Sequence, residues 1–562
     1  MANKYGYFRY DDIVVGAKEQ ATFSTDTELQ PGSTVESLKE GVTPYDFASL
    51  ETDTYITATP KRLADDEPLG FVPTIVSDEN GEFPDNTSVA PVISIVFEET
   101  FITTYGITIY AANILHKVVV RLNVWNDGSP EILTYTFNAT QKDEFFSWPA
   151  AQTKSIYIFF SAIDRPGAFL RVYNIELGRM VVFDDANTIS AQVHTTFSLT
   201  GESIEYDTLD LQVLYDQVRG FFFQRRQPLA FIGSDGQTKQ TFYVDQGETV
   251  ETSEGSQRAY TAKISAYDII ASMEDTFLGG MYNNVPVSTL LADIMGDVPY
   301  TLQGADGMTM TGYIPITTRR QALALVCRGC NLRPYRGASM TIKPIETSAV
   351  SIYARNNIVD APTVDAQQEQ VSVTLKEHNY SKGTEEKELY HWYISKTSPA
   401  TITWSDPVHS VKAYEVTGVD ENGNDIVSET ESTAVTFTAR NANYCTVTNT
   451  SDNKIVLKGL LYVDSTVEHT KSEEQSQAYD TVNTVTIEDQ TILSDAEGVL
   501  DVLYDAYTRS ATVSCQYVDV SDGTGQRQGV PYPGQYAGVL GTLRTVTSVK
   551  DTLCGLYEME AT

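Results

Sequence analysis

Alternating apolar and polar residues run through most of the chain, and this two-residue period predicts β-strands. In Val118–Val124 every second residue is a large aliphatic one, beginning with the first. Ser155–Phe160 and Leu170–Leu177 repeat the alternation. Tyr, Phe, Thr and Val, which strands favour, are abundant between turns that contain Gly, Asn and Asp. The pattern therefore predicts a mainly β fold with small α/β parts.

Three short segments have the 3.6-residue period of a helix instead. The first covers Val287–Met295. The second begins with a predicted capping box at Thr318–Gln321 and ends at Gly329. The third begins with another predicted capping box, Ser494–Glu497, and its apolar stripe continues over Leu500–Tyr507. Because each helix is apolar on one side only, each is expected to lie against a sheet.

The charge of the chain excludes one class of function. The 562 residues include 75 acids and 39 bases, which gives a formal net charge of −36. Such a surface repels phosphates, so sequence-specific binding of nucleic acid is not expected. The same charge is compatible with lining a passage for DNA without gripping it.

No targeting signal is predicted from the sequence. Met1–Tyr10 has no apolar run, so no signal peptide is predicted. No stretch approaches the roughly 20 apolar residues of a membrane-spanning helix. Five cysteines argue against a disulfide scaffold and indicate synthesis in a reducing cytosol.

Candidate metal ligands are weak. No two of the six histidines lie within four residues of each other, so no local metal signature is present. Cys327-x-x-Cys330 has no second pair and is interpreted as two structural cysteines. Asp420–Glu431 resembles a calcium loop, but its sixth position is Asp425 instead of Gly, and a hairpin turn at Asn422-Gly423 explains the same residues.

No catalytic motif is recognisable. The chain has no phosphate-binding glycine loop, no dinucleotide-binding fingerprint and no nucleophile elbow. We therefore predict that the protein is not an enzyme, with no catalytic residues, no metal and no cofactor.

The order of elements from Thr208 to Arg336 resembles the tail hub proteins of bacteriophages and related injection machines. These hubs form a trimeric ring that closes the distal end of a tail tube. The segments that carry the resemblance are Thr208–Val213, Thr241–Val244, Tyr260–Ile270, Gly279–Tyr282 and Gly312–Leu323. The helix Ser494–Arg509 and the following strands, Ala511–Tyr517 and Gly541–Lys550, resemble the last units of such hubs.

A different resemblance covers the inserted region. Pro91–Phe97, Gly106–Tyr110 and Ile156–Phe160 look like strands of a discoidin-type or carbohydrate-binding jelly roll. Such modules bind sugars on aromatic rings. The resemblance implies a binding platform made of Trp125, Trp148, Tyr105 and Arg165. The alternative is that both tryptophans belong to the core of the sandwich.

Together the patterns and resemblances predict five units. Residues 1–63 and 181–280 form a first hub β-barrel, and residues 64–180 form the inserted β-sandwich. Residues 281–355 form a small α/β unit, residues 356–490 a second β-barrel region, and residues 491–562 a helix with terminal β-hairpins.

The leading hypothesis is a structural virion protein at the tail tip or baseplate, synthesised in the host bacterial cytoplasm. The resemblance implies a homotrimer that allows DNA passage, with a distal tail or tail tube protein, a tape-measure protein and a fibre or spike protein as partners. One alternative is an adhesin that binds a host-surface glycan through residues 64–180. A tail-associated cell-wall hydrolase is a second alternative. The adhesin predicts sugar binding by a monomer, whereas the hub predicts a ring.

Overall fold

The structure is a computed structural model. It describes residues 6–13, 17–42, 68–84, 90–98, 101–126, 129–214, 225–233, 235–254, 257–337, 339–345, 350–352, 358–366, 372–472, 484–509, 511–518, 536–539, 542–552 and 556–561. The predicted mainly β, multi-unit fold with few helices is confirmed.

The first fifteen strands are β1 Gly6–Ile13, β2 Ala21–Ser24, β3 Val92–Phe97, β4 Ile102–Ala111, β5 Lys117–Asn126, β6 Ser129–Phe137, β7 Asp143–Ala162, β8 Val172–Glu176, β9 Gly178–Phe183, β10 Thr188–Thr196, β11 Thr208–Leu214, β12 Pro228–Gly233, β13 Thr238–Glu254, β14 Gln257–Tyr267 and β15 Thr276–Phe277. The next nine are β16 Gly280–Pro286, β17 Tyr300–Leu302, β18 Thr309–Ile314, β19 Thr317–Thr318, β20 Leu332–Tyr335, β21 Met340–Pro344, β22 Val350–Ile352, β23 Thr363–Ala366 and β24 Ser372–Trp392. The last twelve are β25 Ala400–Thr403, β26 Val408–Val419, β27 Asp425–Val427, β28 Val435–Arg440, β29 Tyr444–Asn449, β30 Ile455–Ser472, β31 Thr484–Ile487, β32 Ile492–Leu493, β33 Ala511–Val518, β34 Tyr536–Val539, β35 Thr542–Asp551 and β36 Leu556–Ala561.

The α-helices are α1 Ala17–Gln20, α2 Val287–Met295, α3 Arg319–Gly329 and α4 Ala496–Tyr507, and two 3₁₀ turns cover Glu36–Lys39 and Ile269–Ser272. Helices α2 and α3 have the predicted bounds, and Thr318 and Gln321 form the predicted capping box. The predicted capping box at Ser494 is wrong by one residue. The N-cap is Asp495, which accepts from the backbone N–H of Gly498, while the Ser494 hydroxyl donates to the carbonyl of Gly329.

The described residues between 17 and 177 build a two-layer β-sandwich around a single core. One layer has the order β6-β5-β7-β3-β2, and β7 then continues into the second layer, where it pairs with β4, which in turn pairs with β8. The alternating residues Val118, Val120, Leu122 and Val124 point inward, as predicted, with exposures of 2% or less. Apolar side chains of both layers meet in this core. The jelly-roll connectivity stays a prediction.

The sandwich is inserted between two neighbouring strands. Strands β1 and β9 pair antiparallel, with Ile13 opposite Gly178, so the chain leaves and rejoins the same sheet at adjacent points. Helix α1, β2 and the 3₁₀ turn at Glu36–Lys39 pack into the sandwich core. The inserted unit therefore starts near residue 17, whereas residues 1–63 were expected in the first barrel. The expected boundary at residues 63 and 64 lies outside the described residues.

A thirteen-stranded sheet carries both the first and the last strands of the chain. Its first unit has the order β10-β11-β14-β13-β12-β1-β9. Phe183 on β9 and Val193 on β10 contribute to one core, so this unit curls on itself like a barrel. Its second unit consists of β35, β36, β33 and β23, together with β34 and β22, around a smaller core.

Helices α2 and α3 form the small α/β unit with two three-stranded sheets. Leu290, Leu291 and Ile294 of α2 and Leu323 and Val326 of α3 are fully buried in it, because the apolar stripe of each helix faces the sheets. The unit also takes in β32, which pairs with β18.

Strands β24 and β30 form a long antiparallel ribbon that separates two cores. At one end, β31 and α4 pack on the ribbon. At the other end, residues 389–461 have a core of their own, built from β25, β26, β28 and β29. The expected second barrel region, residues 356–490, is thus divided. Its first strand, β23, joins the strands of residues 511–561 by pairing with β33. Strand β22, from the end of the expected α/β unit at residues 281–355, joins them as well by pairing with β34.

Candidate assembly interface

The two units of the thirteen-stranded sheet are joined by one strand pair, which we call the seam. The seam consists of β10 and β35, with Val193 opposite Asp551 and Thr196 opposite Ser548. Val193 lies in the first core and Val549 in the second. The seam therefore makes strands from opposite ends of the chain into one continuous sheet.

Each end of this sheet has an edge without a strand partner among the described residues. Strand β23 pairs only with β33 there, and all four of its residues are exposed. Val364 in its centre is 52% exposed. At the other end, β9 pairs only with β1 and exposes Met180 and Val182. An unpaired strand edge can accept a further strand.

The polar face of the sheet at the seam forms a cleft of about 440 Å³. Nε2 of His194 lies 3.1 Å from the Ser548 hydroxyl, and Lys550 lies 3.5 Å from Glu558. Asp360 closes the cleft from the segment before β23. The cleft is lined by one lysine, Lys550, and three acidic residues, Asp360, Glu558 and Glu560, so its charge is mixed with an excess of acid.

A buried ionic cluster, the junction cluster, connects the first barrel-like unit to the α/β unit. It consists of Asp207, Asp268 and Arg336. Asp207 precedes β11, Asp268 follows β14, and Arg336 follows β20, so the paired ends of β11 and β14 bring both carboxylates to the arginine. The Arg336 Nε atom lies 2.9 Å from Asp207 and 3.8 Å from Asp268.

Neighbouring groups fix the junction cluster in place. The backbone N–H of Asp207 donates to Asp268 over 2.9 Å, and the amide of Gln240 donates to Asp207 over 2.6 Å. The Arg336 guanidinium also donates to two backbone carbonyls, those of Thr196 and Glu205. Burial, followed by repulsion from Asp207, raises the pKa of Asp268 to about 7. A cavity of about 210 Å³ lies beside the cluster.

The four residues predicted to bind sugar do not form one platform. Trp125 is 46% exposed, on the outside of β5, and its ring centroid lies 5.4 Å from that of Phe101. Tyr105 is half-buried on β4. Arg165 is exposed in the loop after β7. Because Lys117 at the start of β5 pairs with Ala162 at the end of β7, Arg165 lies at the end of β5 remote from Trp125.

Trp148 belongs to the core of the sandwich, as the alternative interpretation held for it. It is 5% exposed, stacks on Tyr135 and donates from Nε1 to the Thr104 hydroxyl over 3.2 Å. The ring is therefore not available to stack on a sugar, and of the two tryptophans only Trp125 offers an exposed ring. Strand parity could have separated them, since Trp125 follows the inward-facing Val124.

The remaining candidates of the sequence have structural roles. Cys327 and Cys330 are buried free thiols, and burial raises the pKa of Cys330 to about 12. Asp420 accepts from the backbone N–H groups of Asn422 and Asn424, and Gly423 has φ of 83°. This confirms the hairpin turn between β26 and β27.

Within the described ranges, no group of three or more His, Cys, Asp or Glu side chains is arranged to hold a metal ion. None of the described helices is long and apolar enough to cross a membrane.

Comparison with known proteins finds remote structural similarity only. No family model matches the chain, and no curated protein matches it. Solved structures with similarity include the tail protein from Neisseria meningitidis MC58, at 11% identity and a TM-score of 0.37, covering 66% of this chain and 91% of that chain. Another is the E. coli c3393 protein, described as a component of the type VI secretion system with structural similarity to bacteriophage T4 tail proteins, at 8% identity and a TM-score of 0.30, covering 67% and 72%.

A third is the half-lidded Francisella PdpA–VgrG complex, at 8% identity and a TM-score of 0.29, covering 79% of this chain and 57% of that one. Two of these three solved structures are described by reference to tail proteins.

Proposed function

We propose that this chain is a structural, non-enzymatic subunit of a phage-type tail tip, in which three copies form the hub ring at the distal end of the tail tube. The observation that carries the proposal is the thirteen-stranded sheet with its seam between β10 and β35. A sheet that links both ends of the chain gives the subunit a rigid wall, whereas a free-standing binding module needs no such wall.

The two ends of that sheet support assembly with further copies. Strand edges left open to solvent pair with other chains unless they are covered. A closed ring of identical subunits covers every such edge with the same contact repeated. In the ring, the β23 edge of one copy, with Val364, meets the next copy.

The charge supports a channel for DNA. Three copies carry three times −36, or −108, before any partner is counted. Acidic residues facing the lumen would keep the phosphates of passing DNA from binding. In this proposal the ring sits below a distal tail or tail tube protein, around or beneath the tape-measure protein, and above a fibre or spike protein.

The solution mass of the full chain tests the proposal. Light scattering over a concentration series is expected to find a species near three times 62.1 kDa, about 186 kDa, that forms rings in negative stain. Val364→Lys puts a charge on the β23 edge and is expected to shift the mass to that of a monomer. Val419→Lys is the matched control, because Val419 is 63% exposed on a different sheet.

A monomer at every concentration, with no rings in negative stain, would contradict the proposal. A trimer that Val364→Lys leaves intact would contradict the assignment of the β23 edge to the ring contact. An adhesin, in contrast, needs only the sandwich and is indifferent to both substitutions.

A further inference from the structure

The junction cluster borders the cavity of about 210 Å³, which we call the junction cavity. It lies between β13 of the first barrel-like unit and the segment that follows β20 in the α/β unit. Thr241 and Tyr243 line it from β13, and Ser339 lines it from the α/β unit. Its volume is more than ten times the roughly 10–15 Å³ that a single water molecule needs. The junction cavity therefore has room for a small organic molecule.

The junction cluster carries one negative charge in excess when both of its carboxylates are ionised. The side chains of Asp207 and Asp268 are 0% and 5% exposed, and that of Arg336 is 7% exposed. No lysine and no second arginine among the described residues forms an ion pair with either carboxylate. A buried charge without a partner is costly, so a second cation beside the cluster would stabilise it.

A ligand in the junction cavity would contact the cluster directly, because Asp268 and Arg336 both line the cavity. The two oxygens of Asp268 accept from the backbone N–H groups of Ile270 and Asp207, over 3.0 and 2.9 Å. Each carboxylate oxygen has a second lone pair. Asp268 can therefore accept further hydrogen bonds from a donor in the cavity.

Three hydroxyl groups around the cavity can share in binding that donor. The hydroxyls of Thr241, Tyr243 and Ser339 have no hydrogen-bond partner among the residues that the structure describes. Burial, followed by the negative charge of Asp268, raises the pKa of Tyr243, so its phenol stays protonated. An ammonium group donates three hydrogen bonds and accepts none. One carboxylate with neighbouring hydroxyl oxygens matches that set of donors.

The rest of the lining includes an apolar wall. Ile270 and Met340 are 0% and 4% exposed, and Ile269 and Pro299 join them at the cavity. Such a wall favours a short alkyl chain over a hydrated inorganic ion. A divalent metal ion is not favoured either, because no group of three or more His, Cys, Asp or Glu side chains in the described ranges is arranged to hold one.

We propose that the junction cavity binds a small aliphatic amine in its ammonium form, with the ammonium group on Asp268 and the alkyl chain against Ile270 and Met340. The inference goes beyond the proposed hub role and does not depend on it, because the cavity lies between two units of a single chain. The amine contacts both units, so it strengthens their attachment to each other.

Isothermal titration calorimetry of the full chain with n-butylamine at pH 8 tests the inference. The amine is an ammonium ion at this pH, since alkyl amines of this kind have a pKa of about 10.4. Saturable binding is expected, with a Kd of about 1 mM or lower for a ligand of this size. 1-Butanol has the chain without the charge, and ammonium chloride has the charge without the chain. Each is expected to bind at least about tenfold more weakly.

Competition with protons gives a second measurement. The ammonium ion binds the ionised form of Asp268, whose pKa is raised to about 7 by burial and then by Asp207. The affinity for n-butylamine should therefore be about tenfold weaker at pH 6 than at pH 8. The charged or titratable groups that act on Asp268 are Asp207, Arg336 and Tyr243, and His194 acts on Asp207.

Substitutions separate the cavity from the rest of the chain. Asp268→Asn removes the charge and is expected to weaken binding at least about tenfold and to abolish its dependence on pH. Thr241→Val exchanges a hydroxyl for a methyl group and is expected to weaken binding about fivefold. Asp235→Asn removes a carboxylate that is 53% exposed between β12 and β13, and it is expected to leave binding unchanged. If Asp268→Asn lowers the melting temperature, Thr241→Val and the pH dependence decide alone.

Several results would overturn the inference. One is the absence of saturable binding of n-butylamine at pH 8. Equal affinity for 1-butanol would show a purely apolar site, and equal affinity for ammonium chloride would show a site for an inorganic ion. An affinity that is the same at pH 6 and pH 8, or that neither Asp268→Asn nor Thr241→Val reduces, would place the amine elsewhere on the chain.

Discussion

The core of the sandwich and the junction cluster are both buried, yet opposite kinds of side chain hold them together. In the sandwich, aliphatic side chains such as Leu122 and Ile158 fill the space between two layers and have no polar atom to satisfy. At the junction, Asp207 is fully buried and depends on Arg336 and Gln240 for its charge. One region is stabilised by removal of apolar surface from water, the other by pairing of charges that burial would otherwise disfavour.

This difference determines what each region responds to. Apolar packing is insensitive to pH, and its cost on mutation depends on the volume removed. A buried ion pair fails when one partner is lost, because the other charge stays buried without compensation. The sandwich should therefore respond to changes in side-chain volume, and the junction to changes in charge.

The largest effect is expected at the arginine of the junction cluster. Arg336→Met leaves two carboxylates without their cation and should cost about 3–5 kcal/mol. Calorimetry should show the transition of the first barrel-like unit at a much lower temperature. Arg440→Met, at an exposed arginine over the Phe437 ring, should cost about 1 kcal/mol or less. Equal effects of the two substitutions would refute the ionic account of the junction.

A cavity in the sandwich should have the next largest effect. Leu122→Ala removes a fully buried side chain and should cost about 2–5 kcal/mol. Ile132→Ala, which removes an exposed aliphatic side chain from the neighbouring strand β6, should change stability by about 0.5 kcal/mol or less. Urea unfolding followed by tryptophan fluorescence measures both, since Trp148 lies in the same core. If the loss of stability caused by Leu122→Ala changed with pH, the sandwich core would not be insensitive to pH, and its contrast with the junction cluster would be wrong.

The pH dependence of the junction follows from Asp268. Its pKa of about 7 in the folded protein lies above the ordinary value, so the stability contributed by its proton is present below about pH 4 and is lost as pH rises through about 7. Between those values the free energy of unfolding should fall by about 1 kcal/mol per pH unit. The titratable or charged groups that interact electrostatically with Asp268 are Asp207, Arg336 and Tyr243.

Asp268→Asn provides the control for that prediction. The amide cannot ionise, so this variant should lose the slope between about pH 5 and about pH 8. The hydrogen bond to Glu377 raises the pKa of His469, so the stability that His469 contributes also falls as pH rises. Because His469 is present in both proteins, this contribution is the same in both. The difference between the two unfolding curves therefore isolates Asp268, and identical curves would show that the carboxyl does not titrate there.

The same contrast explains what could be predicted from the sequence. Alternation identified the inward residues of β5, and helical periodicity gave the bounds of α2, because both patterns are local. The junction cluster has no such pattern, since its three residues are far apart in the chain and meet only when β11 pairs with β14. The division of residues 356–490 was missed for the same reason, because β23 finds its partner in β33.

The predicted sugar platform failed to assemble for a related reason. The prediction put Trp125 and Trp148 in one platform only because both are aromatic. Trp125 lies on the outside of its strand, as strand parity indicates, whereas Trp148 lies in the core. Which outward residues lie side by side is fixed by strand register, which puts Tyr157 opposite Arg121. The sequence could identify which residues were aromatic, but their common surface depended on pairing between distant strands.

At the start of α4 the sequence offers two possible N-cap residues, and a substitution there has the smallest predicted effect. Ser494 and Asp495 are both good N-caps, and the contact of Ser494 with Gly329 leaves the cap to Asp495. Asp495→Ala should cost about 1 kcal/mol and speed hydrogen exchange of the Gly498 amide, whose N–H lies 3.2 Å from the Asp495 carboxylate. Asp495→Asn keeps a capping oxygen and should restore protection. Faster exchange at Gly498 in Ser494→Ala but not in Asp495→Ala would return the cap to the residue that the sequence pattern chose.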